Sequence, residues 1–130
     1  MDLSKIKRRE LLRFLIGGGS AVVVDYLLYQ VFLRTGIFLS GAKAASFFCG
    51  AVVGFVINKL WTFESRRFVG NEIGRYILLY SVSACTNTII NRAVLLLTEL
   101  ELVAFFCATG TSTIINFLGQ KFFVFRRREE

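Results

Sequence analysis

Four long apolar stretches, separated by short polar segments, make up most of the 130-residue chain. A helix needs about 20 mostly apolar residues to cross roughly 30 Å of hydrocarbon, and each stretch reaches that length. The chain contains no proline, and the stretches are too long for barrel strands, so helices are the natural way to satisfy every backbone group in lipid. The pattern predicts an all-α integral membrane protein with four spans, at approximately 12–33, 38–61, 76–97 and 102–125.

Polar and aromatic positions inside these stretches recur after a shift of 62 residues (75 − 13 = 62). The halves, approximately 10–66 and 72–128, are each predicted to be a helical hairpin within one membrane domain covering 1–130. Because each half contains two spans, both halves start on the same side of the membrane and are parallel repeats. The matched pairs are Arg13 and Arg75, Asp25 and Asn87, Phe55 and Phe117, Lys59 and Lys121, and Phe63 and Phe125.

The net charge of +7 follows the predicted topology rather than a nucleic-acid site. Basic residues gather before the first span, between the second and third, and after the fourth. The positive-inside rule therefore places both termini and the middle loop in the cytoplasm, as in a multi-pass protein of the cytoplasmic membrane. We expect this face to attract anionic lipids, and we expect no nucleic-acid partner. The residues concerned are Lys5, Lys7, Arg8, Arg9, Arg13, Arg66, Arg67, Arg75, Arg126, Arg127 and Arg128.

The residue inventory disfavours catalysis and metal binding. Histidine is absent, the three cysteines are isolated in apolar stretches, and Asp25 is the only acid inside a span. The chain thus lacks the commonest metal ligand and the usual neutral-pH base. We expect no enzymatic activity, no metal and no cofactor.

A stripe of small and polar residues runs along the second and fourth spans. Small residues allow close helix packing, whereas buried amides need partners or water. This face is therefore predicted to border a polar cleft, to which Asn87 and Asn91 of the third span contribute. The stripe positions are Ala42, Ser46, Gly50, Gly54 and Asn58, and then Ala104, Ala108, Ser112, Asn116 and Gln120.

Asp25 lies near the middle of the first span. At 1.5 Å rise per residue it is about 18 Å above Arg13, where an unpaired carboxylate would cost several kcal/mol. We expect a partner such as Asn87 or Arg92. A role in binding substrate or a proton is the alternative.

The ends of the second and fourth spans carry the strongest local motif, residues 58–63 and 120–125. Each has an amide and a lysine followed by aromatic residues. A snorkelling lysine and an interfacial aromatic belt explain Trp61, Phe63, Phe123 and Phe125. The recurrence of cations at one depth further suggests binding of a phosphate headgroup, with Arg13, Lys59, Arg75 and Lys121 as its ligands.

With these residues, the sequence resembles the GtrA-like family of four-helix membrane proteins over almost its entire length. Gln120 stands where this family more usually has asparagine. The shared features are Arg13 with Phe14, Asp25, residues 58–63, Arg75 with Tyr76, Asn87, and residues 116–125.

The resemblance implies movement of a polyprenyl-phosphate-linked monosaccharide from the cytoplasmic to the outer leaflet, for glycosylation of cell-surface polysaccharide. A membrane glycosyltransferase is the implied partner, and the small volume enclosed by four helices favours a homodimer. The alternatives are a non-transporting anchor or partner subunit of a glycosyltransferase, and a small proton-coupled exporter. In the leading interpretation the sugar is bound by Asp25, Asn58, Asn87, Asn91, Asn116 and Gln120.

Overall fold

The computed structural model describes residues 2–65 and 70–125. These ranges contain four long helices and no strand, which confirms the predicted all-α membrane fold. The basic residues Arg66, Arg67, Arg126, Arg127 and Arg128 lie outside the described ranges, and the sidedness inferred from them stays a prediction. The helices are α1 (Arg8–Arg34), α2 (Leu39–Ile57), α3 (Glu72–Thr98) and α4 (Glu101–Gly119).

The chain divides into two compact units, Met1–Arg66 and Arg67–Glu130, here called the first and second hairpin. In the first hairpin α1 packs against α2, and in the second α3 packs against α4. Each hairpin ends in a π-helical turn that continues its second helix. These turns are Asn58–Thr62 and Gln120–Val124.

Three segments are long and apolar enough to cross a membrane, namely Arg8–Arg34, Leu39–Thr62 and Glu101–Val124. Helix α3 has 27 residues, enough for about 40 Å, but it is richer in hydroxyl and amide side chains. The hydroxyls of Ser81, Thr86 and Thr88 each donate to the carbonyl four residues earlier, at 2.8, 2.9 and 3.0 Å. A hydroxyl satisfied by its own helix needs no water, so these residues are compatible with a span.

The turn of each hairpin uses one residue with positive φ. Gly36 has φ +93° after α1, and its N–H donates to Leu33 O at 3.2 Å. After α3 the corresponding left-handed residue is Glu99, with φ +56°, whose N–H donates to Leu95 O at 2.8 Å. Both are left-handed helix terminations, which glycine adopts without the steric cost that a Cβ brings.

Each hairpin has one contact between its two helices where a large residue faces a glycine, and the two residues are exchanged between the hairpins. In the first, a Cβ on Gly17 would lie 2.9 Å from Ile57 Cγ2. In the second, Leu79 takes the position of Gly17 and Gly119 that of Ile57, and a Cβ on Gly119 would overlap the Leu79 side chain. Close packing at this level is therefore kept in both hairpins, but the bulk comes from opposite helices.

Candidate functional site

The π-helical turn at the end of each hairpin was not predicted from the sequence. Phe63 N–H donates to Asn58 O at 2.9 Å and Phe125 N–H donates to Gln120 O at 2.7 Å, so each bond spans five residues instead of four. This extra residue rotates the following side chains relative to α2 and α4. Such turns often occur at functional sites because they redirect side chains without ending a helix.

The rotation changes the role of two aromatic residues. Trp61 and Phe123 are each 40 % exposed, as expected of an interfacial belt. Phe63 and Phe125, which were expected in the same belt, are instead buried at 3 % and 1 % exposure. The ring of Phe63 lies 6.4 Å from that of Phe14, so it packs between the helices of the first hairpin.

Arg13 is held at the end of the first hairpin by three groups. Its Nη1 donates to Trp61 O at 2.9 Å and to Glu64 Oε1 at 3.0 Å, and its guanidinium carbon lies 5.1 Å from the Trp61 ring centroid. Arg9 binds the same Glu64 oxygen at 2.8 Å. The carboxylate of Glu64 therefore already neutralises part of this cationic cluster.

Arg75 has the matching position in the second hairpin. Its Nη1 donates to Phe123 O at 3.3 Å, and its guanidinium carbon lies 5.5 Å from the Phe123 ring centroid. No acidic residue in the described ranges forms an ion pair with it. The position that corresponds to Glu64 is Arg126 (64 + 62 = 126), which lies outside those ranges.

The two lysines occupy matched positions inside the π-helical turns. Lys59 is buried, and its Nζ donates to Ser65 Oγ at 3.4 Å. Lys121 is half-buried, and its Nζ lies 5.8 Å from the Phe122 ring centroid. The structure thus places an arginine and a lysine at the same end of each hairpin, as the repeat predicts.

Two buried carboxylates at the start of the hairpins were missed in the sequence. Glu10 is 8 % exposed and Glu72 is 2 % exposed, in the first turns of α1 and α3. Both have interaction partners, and an acid in a first helical turn is favoured by the helix dipole. The 62-residue shift relates them (72 − 10 = 62), and that relation could have identified them although they precede the apolar spans.

Asp25 has partners other than the expected Asn87 or Arg92. Lys43 Nζ donates to Asp25 Oδ2 at 2.7 Å, and Ser46 Oγ donates to Oδ1 at 2.6 Å. Close approach of the helices makes this contact feasible, since a Cβ on Gly50 would lie 3.1 Å from Asp25 Cβ. The expectation overlooked Lys43 because it lies near the loop, although α2 runs antiparallel to α1 and brings it back to the level of Asp25.

The second hairpin replaces this ion pair with neutral hydrogen bonds. Asn87 Nδ2 donates to Ser112 Oγ at 3.0 Å, and Ser83 Oγ donates to Ser112 O at 3.3 Å. Asn91 is half-buried and makes no side-chain hydrogen bond with the described residues. Asp25 and Asn87 are therefore each tied to the neighbouring helix of their own hairpin.

The amides in the π-helical turns differ between the hairpins. Thr62 Oγ1 donates to Asn58 Oδ1 at 2.9 Å, and both side chains are buried. Within the described ranges, the buried side-chain polar atoms that lack a hydrogen-bond partner are Asn116 Oδ1, Gln120 Oε1 and Gln120 Nε2. Each such atom costs about 1–3 kcal/mol when it is left unsatisfied.

Comparison with protein families matches residues 13–125 to the family model described as GtrA/DPMS, transmembrane domain. The match runs from Arg13 at the first cationic position to Phe125 at the end of the second π-helical turn. It therefore covers most of both hairpins and every site residue predicted from the sequence.

Proposed function

Because the chain belongs to the GtrA/DPMS transmembrane-domain family, we propose that it translocates a polyprenyl-phosphate-linked monosaccharide from the cytoplasmic to the outer leaflet of the cytoplasmic membrane. Family membership supports a role in membrane function related to polyprenyl-phosphate sugars. In the proposal the sugar is delivered for glycosylation of cell-surface polysaccharide. A membrane glycosyltransferase acts beside this chain, which itself performs no covalent chemistry.

The observation that carries the proposal is the pair of matched cationic sites. Arg13 and Arg75 each bond a main-chain carbonyl of the opposite helix, at 2.9 and 3.3 Å, and each lies against an exposed aromatic ring. A guanidinium has five N–H donors, so one or two such contacts leave others for phosphate oxygens. Lys59 and Lys121 add positive charge beside each arginine in the repeat.

The remainder of each hairpin suits a ligand with a polar head and an apolar tail. Most large apolar residues of α1, α2 and α4 are exposed, as expected for surfaces in contact with lipid and prenyl chains. Asp25 and Asn87 instead form hydrogen bonds between the two helices of their hairpins, and Asn58 forms one within its π-helical turn. In the proposal, the tail stays in lipid while the headgroup follows polar side chains.

The test is translocation in vesicles that contain the purified protein and a fluorescent prenyl-phosphate hexose in the inner leaflet. Appearance of the probe in the outer leaflet is measured by its sensitivity to a membrane-impermeant quencher. We expect Lys59→Ala combined with Lys121→Ala to slow this transfer at least tenfold, because the phosphate loses two of its cationic partners.

Two control proteins accompany this measurement. Lys7→Ala with Arg8→Ala removes the same charge from exposed positions and should leave transfer unchanged. Lys59→Arg with Lys121→Arg keeps the charge and should retain most of it. Unchanged transfer by the folded Lys59→Ala, Lys121→Ala protein would reject the phosphate assignment, and no transfer by the wild-type protein would favour a non-transporting partner subunit.

A further inference from the structure

Hydrogen bonding separates five of the six polar side chains that were predicted to contact the sugar, while the sixth, Asn91, is half-buried. Asp25 is occupied by Lys43 and Ser46, Asn58 by Thr62, and Asn87 by Ser112. These three side chains are used within their own hairpins. Asn116 and Gln120, both in the second hairpin, retain buried polar atoms that have no hydrogen-bond partner among the described residues.

Among the described residues, the missing partner of Gln120 Oε1 corresponds to a difference between the repeats. Its counterpart Asn58 accepts a hydrogen bond from Thr62, four residues later. The residue four positions after Gln120 is Val124, which has nearly the shape of threonine but no hydroxyl. The two positions are equally buried, since Val124 is 1 % exposed and Thr62 is 2 % exposed. The second hairpin therefore lacks this donor at an equally buried position.

The chemistry of the three unpaired atoms defines the ligand group that suits them. Asn116 Oδ1 and Gln120 Oε1 are acceptors, and Gln120 Nε2 is a donor. Phosphate oxygens could satisfy only the donor. A hydroxyl both donates and accepts, so two neighbouring hydroxyls of a sugar can satisfy all three atoms. Flipping the Gln120 amide, which exchanges its oxygen and nitrogen, leaves this requirement unchanged because neither atom has a hydrogen-bond partner among the described residues.

The neighbouring cations suit the phosphate of the same ligand. Lys121 follows Gln120 directly in the π-helical turn, and Arg75 binds Phe123 O in that turn at 3.3 Å. Arg75 has no acidic partner among the described residues, whereas Arg13 is paired with Glu64 at 3.0 Å. Among the described residues, Arg75 thus lacks the acidic partner that Arg13 has, and Gln120 lacks the hydrogen bond that Asn58 accepts.

We propose that the second hairpin binds the hydroxyls of the sugar through Asn116 and Gln120, whereas the matched amide of the first hairpin, Asn58, is structural. This inference rests on the proposed function, because it takes the ligand to be a sugar joined to a prenyl phosphate. Gln120 is fully buried, so binding requires the Gln120–Val124 turn to move. A π-helical turn can shift its hydrogen bonds by one residue toward α-helical pairing, which rotates the side chains that it carries.

The test compares binding of two short-chain prenyl-phosphate probes to the full-length protein in detergent micelles. One probe carries a hexose, as glucose, mannose or galactose in separate runs, and the other carries bare phosphate. The dissociation constant of the bare phosphate probe divided by that of the hexose probe isolates the contribution of the sugar. Gln120→Leu should reduce this ratio at least tenfold for the preferred hexose and leave the affinity for the bare phosphate probe within twofold.

Matched variants distinguish a ligand site from a structural one. Asn58→Leu should leave the ratio unchanged and lower the melting temperature, because it leaves the Thr62 hydroxyl without its acceptor. Val124→Thr should raise the melting temperature of the free protein and reduce the ratio, because the new hydroxyl occupies an atom that the sugar would use. Thr62→Val, the reverse change, should lower the melting temperature only.

The outcomes separate the inference from the proposed function. Equal loss of the ratio in Gln120→Leu and Asn58→Leu, or no loss in Gln120→Leu, would overturn the assignment of the sugar to the second hairpin while leaving translocation intact. A wild-type protein that binds neither probe would overturn the proposed function and this inference together.

Discussion

At the residue scale, the two hairpins differ at one contact between their helices, where the large and the small residue are exchanged. Gly17 faces Ile57 in the first hairpin, and Leu79 faces Gly119 in the second. The sequence contains both pairs at matched positions, but without the structure nothing indicates that these four residues are neighbours across each hairpin. The partner of Asp25 was missed for the same reason, since hydrophobic spacing locates Asp25 in a span but does not identify what the facing helix presents to it.

The exchange predicts that the two residues can be altered together but not singly. Gly119→Ile should destabilise the protein by about 1–3 kcal/mol, because the new side chain overlaps Leu79. Adding Leu79→Gly recreates the arrangement of the first hairpin and should recover most of the loss. Thermal unfolding in detergent measures both effects.

The control is Gly110→Ala, in the same helix, where an added Cβ meets nothing within 4 Å. It should be neutral or slightly stabilising, since alanine has the higher helix propensity. Failure of Leu79→Gly to recover stability in the Gly119→Ile background would mean that the two side chains do not share this space.

At the element scale, the apolar pattern predicted the helices well and their ends poorly. The predicted span 12–33 lies inside α1 (Arg8–Arg34), and 76–97 lies inside α3 (Glu72–Thr98). Charged residues at helix ends extend a helix beyond its apolar part, so hydropathy alone underestimates its length. The π-helical turns left no signal, because residues 58–63 are as compatible with a continuing α-helix as with the wider turn.

The left-handed termination of α1 gives a prediction about the first hairpin. Gly36→Ala should lower stability by about 1–2 kcal/mol, because alanine is strained at φ +93°. Gly18→Ala is the matched control, since Gly18 lies within α1 and an added Cβ there has no neighbour within 4 Å. Equal melting temperatures for the two variants would contradict the positive-φ turn.

At the scale of the whole molecule, the chain is a duplicated hairpin whose repeat was readable from sparse polar matches. The shift of 62 residues identified the arginine and lysine at the end of each hairpin, and the structure brings Arg13 to Trp61 and Arg75 to Phe123 in matching geometry. The repeat could not indicate that Arg13 is paired with Glu64 or that Asn58 is bonded by Thr62. At the corresponding positions of the second hairpin the sequence has Arg126 and Val124.

The predicted topology can be tested by labelling single cysteines in a variant that lacks the three native ones. Lys7→Cys and Gly70→Cys should react only with reagent on the cytoplasmic side, and Thr35→Cys and Glu99→Cys only with reagent outside. All four positions are exposed in the structure. The expected pattern follows from the positive-inside rule and from parallel repeats.

A mixed result has a definite meaning in this experiment. If about half of the Lys7→Cys molecules were labelled from each side, the protein would insert in both orientations. That outcome would contradict the single orientation predicted by the positive-inside rule and favour the small-exporter alternative.

The most direct test of the central claim is whether this chain alone moves a prenyl-phosphate hexose between leaflets. Vesicles containing the purified wild-type protein and no glycosyltransferase should transfer the inner-leaflet probe to the outer leaflet much faster than protein-free vesicles, and Gln120→Leu should slow transfer more than Asn58→Leu. The claim would be contradicted if the chain alone gave only the protein-free rate and faster transfer appeared only after a glycosyltransferase was added.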